Sequence, residues 1–266
     1  MYIFVMDLIK FFKLNIMAQE KKFVASPEAK AKAKQLRLFA LLAWAVAIAG
    51  EVFAICKLIS NEMLTWLIVA IVGILILSVV GSILWKKSNK LDPASEKDKV
   101  RFFVQNQLGA LIAAVAFLPL ILLIFLNKDM DGKSKGIAGG IAVVALLVAG
   151  ITGIDFNPAS IEKYTEQINA QTDVIKSLNN GVDQVYWTPS GNKYHLFEDC
   201  QHIRNSEISG GTVEEAWKAR NKDGVAESEF CITCKNRAER NLKNEASNNI
   251  IDDVVEAVDD LINTED

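Results

Sequence analysis

The sequence predicts an α-helical membrane protein with four transmembrane helices, carrying a small α+β zinc-binding domain. Three observations predict it. Four apolar runs of near membrane-spanning length crowd the first 155 of 266 residues. Lysine and arginine gather on alternate loops between those runs. Three of the four cysteines and both histidines fall within about forty residues of the polar C-terminal part, as a tetrahedral metal site requires.

Residues 1–37 form an N-terminal segment. Residues 1–17 are apolar but broken by Asp7, Lys10 and Lys13, and too short to span a bilayer. They read as an in-plane amphipathic helix or, on the simpler view, as a mis-assigned start, with translation beginning at Met17. A basic, alanine-rich stretch follows. Ser26 and Pro27 carry the signature of a helix start, Ser as N-cap and Pro in the first turn.

The transmembrane region covers 38–155, with spans at about 38–59, 63–85, 108–126 and 136–154. Each is close to the roughly 20 residues a spanning helix needs. Core helices of soluble proteins rarely lack polar positions over such lengths. Trp66 and Trp85 lie about 28 Å apart along the second span, as interface-anchored aromatics would. Glu51 is the one acid inside a span. Near its outer end and with Lys57 close by, its carboxylate is expected to reach the interface. Pro119 is expected to kink the third span. The fourth carries small residues four apart, Gly136 with Gly140 and Ala138 with Ala142, continued by Ala145, Ala149 and Gly153. That spacing permits close helix approach, within this chain or to a second copy.

Orientation follows from the basic residues. Six precede the first span (Lys21, Lys22, Lys30, Lys32, Lys34, Arg37), and six lie between the second and third (Lys86, Lys87, Lys90, Lys97, Lys99, Arg101). The other two loops are poorer. This bias places both termini in the cytoplasm, where thiols stay reduced.

Residues 158–180 read as a helical stalk. Ile161, Tyr164, Ile168, Ile175 and Leu178 keep a heptad spacing that Gln171 interrupts, and 179–181 (Asn-Asn-Gly) end the helix. A compact module, 182–237, follows. It should contain a hairpin, with 185–188 as first strand, 189–192 as turn and 193–196 as second strand. Thr212 and Glu215 have capping-box spacing for a helix ending near 223–224. The tail, 238–266, is polar and then an acidic amphipathic helix from about 250 to 262.

The module holds the candidate metal ligands. Cys231 and Cys234, two residues apart, let two thiolates meet one ion from a tight turn. His195 and Cys200 supply the other half. His202 competes for the fourth place and is set aside on its short spacing to Cys200. The resulting Cys₃His set (His195, Cys200, Cys231 and Cys234) has no open position, so its Zn²⁺ should be structural and not catalytic. Redox chemistry at the C-x-x-C pair would need a helix start within a βαβ unit, a pattern not evident before Cys231. Hydrolysis would need an open site and a general base.

The string V-Y-W-T-P-S-G-N-K-Y-H-x4-C, then T-V-E-E-A, then C-x-x-C, resembles a small bacterial zinc-binding module. That module is similar to the N-terminal metal-binding domain of the Ada DNA-repair protein, and it recurs as an appendage on other proteins. The resemblance covers about 185–237. It implies the same four ligands in this chain. In Ada all four are cysteines, and one accepts a methyl group from DNA. Here His195 takes the first position, the domain lacks a basic surface, and Glu227 and Glu229 flank the pair, so the resemblance does not imply repair.

With net charge -3, nucleic acid is not an expected partner. The expectation is a non-enzymatic, multi-pass protein of the bacterial inner membrane. Its cytoplasmic zinc module would bind a protein partner, or the chain would self-associate through the stalk, span four or the tail. Transport or sensing with the module as regulator is the alternative. DNA-linked zinc-thiolate chemistry ranks below both.

Overall fold

The computed structural model describes residues 22–191, 193–221 and 228–263, with only the backbone at 221, 246 and 249–263. The readings made for 1–17, for Asn192, for a helix end at 223–224, for Glu227 and for the apolar face of the tail lie outside what is described. The chain divides into two compact units, Met1–Glu166 and Gln167–Asp266.

The first unit is built on α1 (Pro27–Lys57), α2 (Leu64–Leu91), α3 (Lys99–Leu126) and α4 (Gly132–Gly153). Each is long and apolar enough to cross a membrane. Side-chain caps start three of them. The Ser26 hydroxyl accepts from the Ala29 amide, and Asp98 and Asp131 accept from the amides of Arg101 and Ser134. Three of the helices, α1, α3 and α4, begin before the apolar runs do, because their first turns are more polar: α1 starts eleven residues ahead of Leu38.

Helix α1 packs on α2, and α3 packs on α4. On α1 the alanines at 33, 40, 47 and 54 recur every seven residues and are fully buried. This small-residue seam lets α2 approach closely. Trp44 and Glu51, also seven apart, lie beside it. The Trp44 ring occupies the space a Cβ on Gly81 would need. On α4, Ala138, Ala142, Ala145, Ala149 and Gly153 are buried, while Gly136 and Gly140 face open space. The alanine row is therefore used inside this chain. At its end, Gly153 meets the backbone of Gly109 on α3 so closely that neither position has room for a Cβ. The outer faces remain apolar, as at Phe39, Val46, Phe53, Leu122 and Leu147.

One expectation is corrected here. Glu51 does not reach the interface. It is 3% exposed, and its Oε1 has no hydrogen-bond partner among the described residues. Its position one heptad beyond Trp44 puts it on the buried seam, which outweighs its nearness to the helix end. Trp85 has partners within the chain. Its indole N–H donates to the Gln105 carbonyl at 2.7 Å, and its ring packs on Trp44 at 5.4 Å under the Arg37 guanidinium. Trp66, by contrast, is exposed.

The end of the first unit that holds the α2–α3 loop is tied by polar groups. Arg37 binds the Asp92 carboxylate and backbone carbonyl at 3.1 and 3.0 Å. Asn89 donates to the Gln105 carbonyl, and Gln105 donates to that of Asp92. Helix α5 (Ile161–Leu178) starts here with Ser160 as its cap. Tyr164 packs edge-on against Phe23 and donates to the Lys90 carbonyl, and the Phe23 amide donates to Thr165. The first turn of α5 is thus packed into the unit and does not stand free as a stalk.

The second unit takes up α5 from Gln167. Ile168 and Ile175 are buried in it. The helix stops at Asn180 and Gly181, both with positive φ, and the Gly181 amide closes onto the Lys176 carbonyl in a Schellman-type ending. Then come β1 (Val185–Trp187), β2 (Lys193–Tyr194), β3 (Ser209–Gly211), α6 (Val213–Asn221), β4 (Glu229–Phe230) and α7 (Ile232–Asn263). The capping box forms as predicted: Glu215 accepts from the Thr212 amide, and Thr212 Oγ1 accepts from the Glu215 amide.

The predicted hairpin is reduced to a single residue pair, Tyr186 with His195, joined by two 2.7 Å backbone bonds. The main partner of β1 is β3, antiparallel, and that of β2 is β4, parallel. Strand β3 is Ser-Gly-Gly, with no side-chain pattern to betray it. Its Gly210 lies against the Tyr186 ring, where a Cβ would be in contact. The tail is not a separate helix, because α7 runs unbroken across 237–238 and Ala238 is buried.

Candidate metal centre

Four elements deliver the cluster. His195 comes directly after β2, held by its backbone exchange with Tyr186. Cys200 sits in the turn that follows. Cys231 comes directly after β4, and its amide donates to the Tyr194 carbonyl at 2.9 Å. Cys234 lies in the first turn of α7, which Cys231 opens. All four residues are buried, and one donor atom from each lies within 4.8 Å of the others.

The geometry fits a tetrahedral ion. With metal–sulfur bonds of about 2.3 Å and metal–nitrogen bonds of about 2.0 Å, an S···N edge should be about 3.5 Å. Cys234 Sγ and His195 Nδ1 are 3.7 Å apart. Three thiols and an imidazole form a soft donor set of the kind zinc, and not calcium or magnesium, selects.

Electrostatics favour thiolates once an ion is present. Cys231 stands at the positive end of the α7 dipole. The amides of Phe197 and Leu196 point at Cys234 Sγ. Without the ion, burial pushes the Cys234 thiol up to about 12, and its neighbours Cys200 and Cys231 add to this. Burial, with the positive charges of His202 and Lys193, lowers His195, keeping its ring neutral and able to coordinate. Arg237 stacks over Phe197 at 4.2 Å and pairs with Asp199 at 2.8 Å on the outer edge of the Cys200–Cys234 side.

His202 stays outside the set. It is exposed, with Nε2 3.2 Å from Thr233 Oγ1. Spacing alone does not exclude it, since residues two apart on an extended strand share a face. The cause is a turn: the Ile203 and Arg204 amides both bond to the Cys200 carbonyl, which swings His202 outward.

The expectation that no βαβ pattern precedes Cys231 is corrected. Parallel β2 and β4 flank α6, and the pair opens α7. The strands are two residues each, too short to read in the sequence.

Sequence reasoning missed the second-unit anchor. Gln171 Oε1 accepts from Tyr194 Oη at 3.0 Å and from Trp217 Nε1 at 2.7 Å. Tyr194 immediately precedes His195, so this bond steadies the strand that carries a ligand. The available signal was a glutamine on an otherwise apolar helix stripe.

The chain matches no protein-family model, no curated protein and no solved structure.

Proposed function

We propose that this is a multi-pass protein of a bacterial inner membrane, with both termini cytoplasmic, whose C-terminal unit is stapled by a structural zinc ion and binds a protein partner without catalysing a reaction. One observation carries the reading: His195, Cys200, Cys231 and Cys234 are all buried with their donor atoms converging, which leaves no vacant coordination position for a substrate. The resemblance of 185–237 to Ada-like zinc modules agrees with the ligand set. The alternation of basic and poorer loops supports the orientation. The four apolar helices support membrane insertion.

Elemental analysis of the purified full chain should give about one zinc per chain. A substoichiometric or iron-dominated result would sink the zinc assignment. For topology, a cysteine placed at exposed Ser247 should react with an impermeant reagent only after the membrane is opened. Crosslinking in intact membranes should join the second unit to a protein partner, and Cys234→Ser should abolish that adduct. Adducts unaffected by the substitution would count against a metal-dependent binding surface.

A second reading, transport or sensing through the four helices, draws on Glu51. A buried carboxylate oxygen without a hydrogen-bond partner among the described residues is costly inside a membrane unless it is used. Proton flux in reconstituted vesicles that is lost in Glu51→Gln would favour it over the binding reading.

A further inference from the structure

The first unit contains a cavity of about 380 Å³ lined by Phe23, Lys30, Lys34, Asp92, Arg101 and Ile161, among others. Its size falls within the roughly 300–1,000 Å³ of small-molecule sites. Three of the lining side chains are cations, and all three sit where a cation is unfavourable. Lys30 and Lys34 lie in the first two turns of α1, and Arg101 lies in the first turn of α3. Both are positive ends of helix dipoles. Lys30 and Lys34 are also four residues apart on one face, where like charges repel.

The acids nearby are already engaged. Asp92 is held by Arg37, and Asp98 caps α3 through the Arg101 amide. Among the described residues no ion pair engages Lys30, Lys34 or Arg101. Three cations and two helix N-termini therefore share one polyatomic-sized space with a single carboxylate not held in an ion pair, that of Asp98, and an anion there relieves the excess positive charge.

We propose that this cavity binds the phosphate headgroup of an anionic phospholipid. Nearness to the first apolar run favours the lipid over a free anion. Lys34 lies four residues, about 6 Å, before Leu38, where the first long apolar run begins. Headgroup layers are about 5–8 Å thick on each side of the hydrocarbon. Lys34 thus stands at headgroup level, while Lys30, eight residues or about 12 Å before Leu38, and Arg101, seven residues or about 10 Å before Leu108, stand further out and reach it from the aqueous side. The assignment rests on the membrane reading given above.

The test uses the full chain extracted in detergent and native mass spectrometry. Micelles are doped with phosphatidylglycerol or phosphatidylcholine, and inorganic phosphate is added separately. Each basic residue near an anionic surface gives about a fivefold preference, so phosphatidylglycerol should be retained at least about tenfold better than phosphatidylcholine. The triple variant Lys30→Gln, Lys34→Gln, Arg101→Gln should lose that preference, and Lys34→Glu alone should weaken it. Neutralising Lys128, Lys133 and Lys135 in the α3–α4 loop should leave it intact.

Equal retention of the two lipids, or an unchanged preference in the triple variant with its helical content preserved, overturns the site. Displacement of the lipid by inorganic phosphate at matched concentration overturns the lipid assignment in favour of a free-phosphate site. A chain that stays in solution after lysis without detergent defeats the membrane reading itself, a result distinct from the other two.

Discussion

Gln171→Leu offers the sharpest test of how the second unit is held together. The two side chains are of similar size, so the change removes an acceptor without opening a large cavity. Gln171 Oε1 receives bonds from the Tyr194 hydroxyl and the Trp217 indole, and both donors belong to residues no more than 2% exposed. A buried donor stripped of its acceptor costs about 1–3 kcal/mol. Taking the full cost for Tyr194 and a smaller share for Trp217 gives a loss of about 2–4 kcal/mol. At about 1.4 kcal/mol per decade, opening of the unit should become roughly 30- to 1,000-fold more frequent. Hydrogen–deuterium exchange on the full chain in detergent, at fixed free zinc, reads this at the Tyr186 and His195 amides, which are bonded to each other's carbonyls. Tyr194→Phe removes the donor together with its need, and should cost no more than about 1 kcal/mol. The double variant should then recover part of the Gln171→Leu loss. A change of less than about threefold in Gln171→Leu, or a double variant no better than the single, refutes the reasoning.

Three further outcomes follow. Cys200→Ser or Cys234→Ser should abolish stoichiometric zinc and collapse the second unit's near-ultraviolet dichroism, as chelator does, while His202→Ala should leave metal content unchanged, because metal binding and folding are coupled in such units. Gly153→Ala should lower the thermal midpoint in detergent by the equivalent of about 1–3 kcal/mol, since its Cβ would meet the backbone of Gly109 and Ala110. Gly140→Ala, in open space, should be neutral or raise it slightly. Burial acts to raise Glu162, but hydrogen bonds from Ser95 and the Glu96 amide outweigh it and hold the carboxyl below its usual range. A depressed folded-state pKa means the contribution is present at neutral pH and lost as pH falls through that value. Thermal midpoints of wild type and Glu162→Gln should therefore differ at pH 7 and converge in acid; a constant gap would refute the assignment.

Several of these residues were legible in the chain and others were not, for definite reasons. His195, Cys200, Cys231 and Cys234 were readable because soft ligands are scarce and their spacing is restricted by coordination. The caps at Ser26 and Thr212 were readable because they satisfy amides within three residues. Glu51 was misjudged because helix depth was weighed without knowing the buried face. The heptad alanines of α1 carried that information, since Glu51 falls on the same seam as Trp44. Gln171 was taken for a break in a stripe, and its two donors lie 23 and 46 residues away.

By itself, then, the sequence determined the local and compositional features: four apolar helices, the start of the first, and the four residues that could share one ion. These depend on hydrophobic length, short-range capping and ligand scarcity, all properties of contiguous or rare residues. Tertiary structure alone decided the rest. It pairs β1 with a glycine-rich β3 in place of its neighbour, makes one helix of the module's end and the tail, and turns Gln171 into an anchor. It also uses the alanine row of α4 within the chain and leaves Gly136 and Gly140 outside. Those outcomes depend on which surfaces meet across long separations, and short strands and small residues carry too little pattern to announce them.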